Sequence, residues 1–187
     1  MAAKRRRLAE RPEIILDAAS AVLAKAGARG LTIDAVAAEA GLSKGGVLHH
    51  YASKDALISA LVARKLAELR EEITACEAEI PPGASQLPRA MVAHARGHYC
   101  EDDESSRALL LASIETPDAL ADYRAFVADQ LGRLERIEGG CPGEGSVLFF
   151  AILGLFMGRA LGFHALDDQA LQPMLDAMEH MARRSER

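Results

Sequence analysis

The chain has 187 residues, half of them hydrophobic, which is enough apolar surface for one sizeable core and excludes a wholly disordered protein. Its formal net charge of −5 is unevenly distributed, because residues 1–65 hold 11 of the 22 Lys and Arg but only 6 of the 27 Asp and Glu. The front third is therefore basic and the rest acidic, which predicts a polyanionic partner for the front alone.

Apolar residues recur at three- and four-residue spacing along most of the chain, and no window shows the alternation of a strand. Helix-capping residues and glycines divide this pattern into nine helices. They are predicted over residues 13–26, 33–40, 43–51, 54–77, 87–100, 105–115, 117–137, 145–166 and 172–184. The fold class is therefore all-α, with a small helical unit at the front (residues 1–53) followed by a larger helical body (residues 54–187).

The second and third predicted helices have the features of a helix-turn-helix, since Ala37 lets them cross closely and Gly41 permits a sharp turn. In this motif the N-terminal end of the second helix enters the major groove. That end holds Gly45 and Gly46, although each glycine costs about 1 kcal/mol in a helix interior. Both would let the backbone approach DNA, with Lys44 reaching a base edge or phosphate. Tight helix packing or a loose turn is the alternative explanation for the glycines.

The segment LTIDAVAAEAGLS followed by KGGVLHHYASKDAL, residues 31–57, resembles the DNA-binding domain of the TetR family of transcriptional regulators. His49 stands where that family commonly has tyrosine, so the contact there has different chemistry. Tyr51 and the Ser53-Lys54 pair follow the family pattern, and Tyr51 is expected to be partly a core anchor. The resemblance places seven residues at DNA, beside Gly45 and Gly46: Thr32, Ser43, Lys44, His49, His50, Tyr51 and Lys54.

The resemblance also implies domain roles and partners. Residues 1–53 would be an N-terminal helix-turn-helix DNA-binding domain, and residues 54–187 a larger helical ligand-binding and dimerisation domain. Family members are typically homodimers whose helical body binds a small ligand and then releases double-stranded DNA. We therefore expect a palindromic operator and a small-molecule effector of unknown identity. The acidic body makes a neutral or cationic effector more favourable than an anionic one. The expected pocket wall comprises Met91, His94, His98, Tyr99, Leu110, Phe126, Phe156 and Met157.

Two stripes of residues in the last helices suggest a dimer interface. Three glycines follow one another at four-residue spacing in the predicted helix 145–166, which would let another backbone pack closely. Methionines line one side of the final helix, so two helices per subunit could form a four-helix interface. The candidates are Gly154, Gly158, Gly162, Met174, Met178 and Met181. Packing within one subunit is the alternative, and the family resemblance favours the dimer.

His94 and His98 stand at i and i+4, a spacing that presents two ligands for zinc or copper on one helical face. The sequence fixes no third ligand. A metal-sensing regulator therefore stays an alternative, beside a polar role in the pocket wall and an ordinary core or surface pairing. No metal and no cofactor are expected.

Other classes of protein fit less well. Cys76, Cys100 and Cys141 are widely spaced and form no CxxC pair, which argues against a disulfide framework and favours a cytoplasmic protein. Residues 147–166 are long enough to span a membrane, but Arg159 near the centre would cost about 3 kcal/mol. The sequence shows no nucleophile paired with a base and no glycine-rich phosphate loop, so it does not indicate an enzyme. A sequence-independent architectural DNA-binding protein is the main alternative, and the acidic body argues against it.

Overall fold

The computed structural model describes residues 11–99, 104–137 and 142–184, which form nine α-helices and no strand, so the all-α prediction is confirmed. Cys100 and Cys141 lie outside the described residues. None of the described helices is both long and apolar enough to cross a membrane. In chain order the helices are α1 (Arg11–Gly30), α2 (Ile33–Ala40), α3 (Lys44–His50), α4 (Lys54–Ala78), α5 (Gln86–His98), α6 (Glu104–Ser113), α7 (Pro117–Glu135), α8 (Glu144–Ala160) and α9 (Asp168–Arg184).

Three helix ends differ from the predictions by four residues or more, and the others lie within two residues of them. Helix α1 includes a kink at Gly27, whose φ is +65°, and a last turn beyond it. Helix α9 begins earlier than expected because Asp167 Oδ1 accepts a hydrogen bond from the Ala170 N–H at 2.9 Å and caps it. Helix α8 ends at Ala160 rather than at residue 166.

The early end of α8 has a clear cause at Gly162. This residue is left-handed, with φ of +74°, and the Phe163 N–H donates to the Gly158 carbonyl oxygen at 2.8 Å. That combination is a glycine C-cap. The sequence analysis placed Gly162 in the same helix as Gly154 and Gly158. That placement is wrong, because Gly162 lies beyond the end of α8 in a left-handed conformation.

The described chain divides into two compact units. The first contains α1 to α3, α4 as far as Leu66, α6, and α7 as far as Arg124. The second contains the remainder of α4 and α7 together with α5, α8 and α9. Both α4 and α7 therefore contribute to each unit. The domain boundary expected between residues 53 and 54 remains a prediction.

The core of the first unit forms around α1, which packs against α2 and α6. The buried residues of α1 recur at helical spacing, as the apolar pattern of the sequence predicted. Helices α2, α3 and α4 each add residues that are fully removed from solvent. The most deeply buried side chains of this unit are Ile15, Ala19, Leu23, Leu31, Val36, Val47, Leu57 and Val62.

In the second unit, α5 packs against α8 and α9, and α8 packs against α9. Tyr99, Leu148, Leu171 and Leu175 are buried there. Ion pairs flank this core: Arg89 Nε lies 3.1 Å from Glu179 Oε1, which joins α5 to α9. The combination of a buried apolar centre and charged margins is typical of a soluble helical body.

The turn between α2 and α3 is set by its own residues. Gly41 has φ of +64° and ψ of +31°, and the Leu42 N–H donates to the Ala37 carbonyl oxygen at 2.9 Å. A residue with a Cβ is strained in this conformation. The turn therefore requires glycine for its backbone, which was predicted, and the angle between α2 and α3 depends on it.

We predict that Gly41→Ala lowers the free energy of unfolding by about 1 kcal/mol, because alanine is disfavoured in the left-handed region. Gly97→Ala is the matched control. Gly97 lies in α5, and an added Cβ would meet no atom within 4 Å, so alanine should stabilise the helix by up to about 1 kcal/mol. Urea unfolding at one protein concentration measures both. Equal midpoints for Gly41→Ala and the unmodified protein would contradict the left-handed cap.

Candidate nucleic-acid interface and effector site

The N-terminal end of α3 is exposed and is capped by Ser43, whose Oγ accepts a hydrogen bond from the Gly46 N–H at 3.1 Å. A Cβ added to Gly46 would lie 3.3 Å from that oxygen. A Cβ added to Gly45 would meet no atom within 4 Å, so nothing described in this chain requires glycine there. Gly45 thus leaves an open approach to the backbone of α3.

Lys44, beside this open position, makes a weak ion pair with Asp34. Its Nζ lies 2.9 Å from Asp34 Oδ2, and the two side chains are 58% and 70% exposed. Exposed ion pairs contribute about 0 to 1 kcal/mol, so Lys44 can exchange Asp34 for another anion at little cost. Thr32 caps α2, its Oγ1 accepting from the Ala35 N–H at 3.1 Å.

The other predicted DNA residues lie at the far end of α3 and the start of α4. His49 is exposed and His50 half-buried, with their rings edge to face at 5.2 Å between centroids. Tyr51 is half-buried, and its hydroxyl donates to the Pro12 carbonyl oxygen at 3.4 Å. Burial, helped by the carboxylate of Glu13, raises the pKa of Tyr51 above its usual value. Tyr51 therefore stays neutral and attaches α3 to α1.

Lys54 and Arg64 attach α4 to α1. Lys54 Nζ donates to the Ala28 carbonyl oxygen at 3.3 Å. Arg64 donates to Asp17 Oδ1 at 2.7 Å and to Ser20 Oγ at 3.0 Å. The sequence analysis missed Arg64, because its partners lie more than 40 residues earlier and no local pattern links them.

In the second unit, α4 and α5 bring together Glu72, His94 and His98. Glu72 Oε2 lies 2.8 Å from His94 Nε2, and the rings of His94 and His98 stack with centroids 4.6 Å apart. One ligand atom from each residue lies within 4.8 Å of the other two. His94 is only 7% exposed. The sequence predicted the histidine pair and missed Glu72, which comes from another helix.

An aromatic cluster surrounds the buried ring of Tyr99. The Phe156 centroid lies 5.7 Å from that of Tyr99 and 6.3 Å from that of His94. The Arg159 guanidinium carbon lies 5.1 Å from the Tyr99 centroid, a cation–π contact. Tyr99 Oη is also 3.3 Å from His164 Nδ1. Arg159 and His164 were not predicted here, since the tight turn after α8 was not expected.

The remaining expected pocket residues are less closely grouped. Met91 is buried and Met157 half-buried. Phe126 is buried, with the Arg70 guanidinium carbon 5.0 Å from its ring centroid. Leu110 belongs to the first compact unit, whereas the others belong to the second. The structure thus brings together His94, His98, Tyr99 and Phe156, and the effector role of all eight residues remains a prediction.

Helix α8 carries exposed apolar side chains on its outer face, defined here as Val147, Phe150 and Gly154. Val147 is 60% exposed, Phe150 is 51% exposed, and a Cβ on Gly154 would meet no atom within 4 Å. On α9, Met174 is exposed, Met181 half-buried and Met178 buried. Exposed apolar residues at this spacing are typical of a surface that another helix covers.

Gly158 faces inward instead. It is buried, and an added Cβ would lie 2.6 Å from His164 Nε2 and 2.8 Å from His164 Cδ2. The imidazole of the same chain therefore occupies the space that the missing side chain leaves. At Gly158 the glycine allows packing within the subunit, which the sequence had left open as the alternative.

A cavity of about 700 Å³ opens in the first unit, between the end of α1, the start of α4 and the end of α6. Its lining includes the charged residues Arg29, Lys54, Asp55 and Glu115. It contains none of the expected pocket residues, and its mixed charges suit an apolar ligand poorly.

The geometry defines a class of protein: an all-helical protein with an exposed, capped helix-turn-helix in one compact unit and a helical body that holds a partly buried polar cluster in the other. The model of bacterial regulatory proteins of the tetR family matches residues 15–61. The model of the tetracyclin repressor-like C-terminal domain matches residues 85–183, more than half of the chain. The chain belongs to the tetR family of transcriptional regulators. Such regulators are generally non-enzymatic.

Solved structures share this fold. A TetR family member from Streptomyces coelicolor A3 is 26% identical, with a TM-score of 0.67 over 90% of this chain and 98% of that chain. NalD, the secondary repressor of the MexAB-OprM multidrug efflux pump in Pseudomonas aeruginosa, is 19% identical, with a TM-score of 0.66 over 96% and 98%. The multidrug binding protein EbrR complexed with ethidium is 23% identical, with a TM-score of 0.65 over 90% and 98%. A search of curated proteins gave no match.

We predict that Gly158→Ala destabilises the protein by about 1 kcal/mol, because the new methyl group displaces His164 from its place beside Tyr99. The same substitution in a His164→Ala background should cost much less, since the space is then free. Gly97→Ala, in open surroundings on α5 of the same unit, is the matched control and should be neutral or stabilising. Thermal and urea unfolding of the double-mutant cycle measure the coupling, and additive effects would contradict the packing described.

Proposed function

We propose that the protein is a homodimeric repressor that binds a palindromic operator through α3 and leaves it when a small-molecule effector binds the second unit. The observation that carries the DNA half is the exposed N-terminal end of α3. Gly45 is open to solvent there, and the described partner of Lys44, Asp34, is exposed and easily replaced. This arrangement offers backbone N–H groups and a cation to a phosphate or base edge.

The nine predicted DNA residues divide into two groups by their contacts. Thr32, Ser43, Lys44, Gly45 and His49 are exposed and available to the duplex. Gly46, His50, Tyr51 and Lys54 are half-buried, and the last two are hydrogen-bonded to carbonyl groups of α1. The first group is suited to reading or phosphate contact. The second is suited to fixing the angle at which α3 meets DNA, and the Lys54 ammonium, which has three donors, can also contact a phosphate while it holds the Ala28 carbonyl oxygen.

The dimer half of the proposal rests on the outer face of α8. A single helix-turn-helix contacts too few base pairs for a strong specific site, and two related by a two-fold axis match an inverted repeat. Val147 and Phe150 expose large apolar surfaces that a second α8 would cover, and Gly154 would let the helices approach closely. Met174 would lie at the margin of this interface. Gly158 contributes by holding His164 rather than by touching the partner.

The effector half rests on the aromatic cluster in the second unit. Phe156 offers a half-buried aromatic ring beside the buried ring of Tyr99, and the Glu72 carboxylate lies against His94, whose ring is 6.3 Å from that of Phe156. This combination suits a flat neutral or cationic molecule. The structural relative EbrR was solved with ethidium, an aromatic cation, which supports the same class of ligand here.

Helix α4 provides a route by which an effector would act on DNA binding. Its residues up to Leu66 belong to the unit that contains α3, and its later residues, including Glu72, belong to the other. Within the first unit, Lys54 and Arg64 bind α4 to α1. A displacement of α4 is therefore expected to move α1 and α3. Useful coupling is about 1 to 3 kcal/mol, or roughly 5- to 150-fold in affinity.

We predict that Lys44→Ala lowers the preference of the protein for its selected operator over random duplex, by about 1 to 3 kcal/mol, because a reading contact is lost. Lys54→Ala should instead weaken binding to all duplexes and reduce the salt dependence by about one counterion. Lys25→Ala, which removes an exposed lysine paired with Glu39, is the matched control and should change neither.

Salt-dependent titrations with the operator, a scrambled duplex and bulk DNA measure these differences. An equal loss for Lys44→Ala on every sequence would remove its reading role. If the unmodified protein showed no preference for any selected palindrome, an architectural DNA-binding protein would become the better account.

We predict that ethidium raises the melting temperature and lowers operator affinity by roughly 5- to 150-fold, and that operator weakens ethidium binding by the same factor. Phe156→Leu, which keeps an apolar side chain but removes the aromatic face, should weaken ethidium more than it lowers stability. Because ethidium also intercalates into duplex DNA, ethidium binding is measured by fluorescence with the protein alone. Operator titrations at one fixed ethidium concentration then compare the unmodified protein with Phe156→Leu, for which the contribution of intercalation is the same. Binding that stabilises the protein but leaves operator affinity unchanged would exclude this class of molecule as an effector.

A further inference from the structure

Glu72, His94 and His98 form a group of three ligand side chains whose donors converge from two helices. Their ligand atoms lie within 4.8 Å of one another, and Glu72 Oε2 is already 2.8 Å from His94 Nε2. Around a tetrahedral ion with bonds of about 2.0 to 2.1 Å, ligand atoms stand roughly 3.3 Å apart. Small side-chain rotations would therefore bring all three onto one ion. We propose that this group is a binding site for a divalent first-row transition-metal ion, with Zn²⁺ the ion of choice.

The composition of the group indicates the class of ion. Two imidazoles and one carboxylate suit Zn²⁺, Co²⁺, Ni²⁺ or Cu²⁺, whereas Mg²⁺ and Ca²⁺ require mainly oxygen ligands. Three protein ligands also leave one tetrahedral position for water or another donor.

The setting favours a metal over a simple ion pair. A hydrogen-bonded Glu72–His94 pair needs only those two residues, yet His98 stacks on His94 and supplies a third donor to the same point. His94 is buried beside Phe156, so its ring has little freedom. Helix α5 fixes the two histidines one turn apart, which keeps them on one face. The site is therefore largely formed before an ion arrives.

The metal site is argued independently of the proposed function, and its test needs neither DNA nor an effector. Full-length protein without a histidine tag is stripped with a chelator and titrated with Zn²⁺ against a chromophoric competitor. We expect one equivalent per subunit to bind, and an excess of Mg²⁺ to leave it in place. Co²⁺ in place of Zn²⁺ should give the visible absorption of a site with nitrogen and oxygen ligands.

Variants assign the ligands. Glu72→Gln keeps a hydrogen-bonding side chain but removes the anionic ligand, and His98→Ala removes a half-buried ring, so both should fold. Each should weaken Zn²⁺ by at least about tenfold, since even residues behind the ligands cost 10- to 100-fold. His180→Ala removes an exposed histidine of α9 and is the matched control.

The proposal is overturned if the unmodified protein binds Zn²⁺ no better than the doubly substituted Glu72→Gln, His98→Ala protein. It is also overturned if Mg²⁺ competes equally well, or if His180→Ala causes the same loss. Circular dichroism of each variant confirms that the comparison is made between folded proteins. If the unmodified protein bound Zn²⁺ but not ethidium, the proposed effector class would be contradicted and the metal site would be supported.

Discussion

The reading helix α3 cannot hold itself in place, and much of the first unit is organised around this constraint. It has seven residues, two of them glycine, whereas isolated helices of fewer than about 12 residues are marginal even in alanine-rich sequences. Its conformation must come from its neighbours. Val47 is wholly buried, Ser43 caps one end, and Tyr51 at the other end is hydrogen-bonded to α1. Packing thus compensates for the helical propensity that the glycines remove.

Because α3 is positioned from outside, its direction depends on α1 and α4. Arg64 joins these helices by two hydrogen bonds made at once, to Asp17 and to Ser20, and its side chain is 23% exposed although that of Asp17 is 74% exposed. Lys54 adds a bond to the kinked end of α1. By contrast, Lys44 and Asp34 are exposed and bound weakly to each other. The strong polar contacts therefore position the reading helix, and the weak one lies where DNA is proposed to bind.

Local signals in the sequence predicted much of this unit, because caps and turns are determined by neighbouring residues. Thr32, Gly41 and Ser43 set the ends of α2 and α3, and the structure places those ends where expected. The end of α8 was missed because apolar residues continue past Gly162, and periodicity alone does not reveal a left-handed residue. Contacts between helices were also beyond the sequence. Glu72 and His94, like Asp17 and Arg64, meet only through the fold.

His94 lies where the two proposals for the second unit meet. Its Nε2 meets the carboxylate of Glu72, and its face stacks on the ring of His98. The centroid of the Phe156 ring lies 6.3 Å from that of His94. An ion held by Glu72, His94 and His98 would fix that imidazole and remove the carboxylate as a free countercharge. A flat cation seated near Phe156 would then lose its electrostatic partner but gain a rigid wall. Metal and aromatic ligand are therefore expected to be coupled through His94, and a neutral aromatic ligand should be less affected than a cationic one.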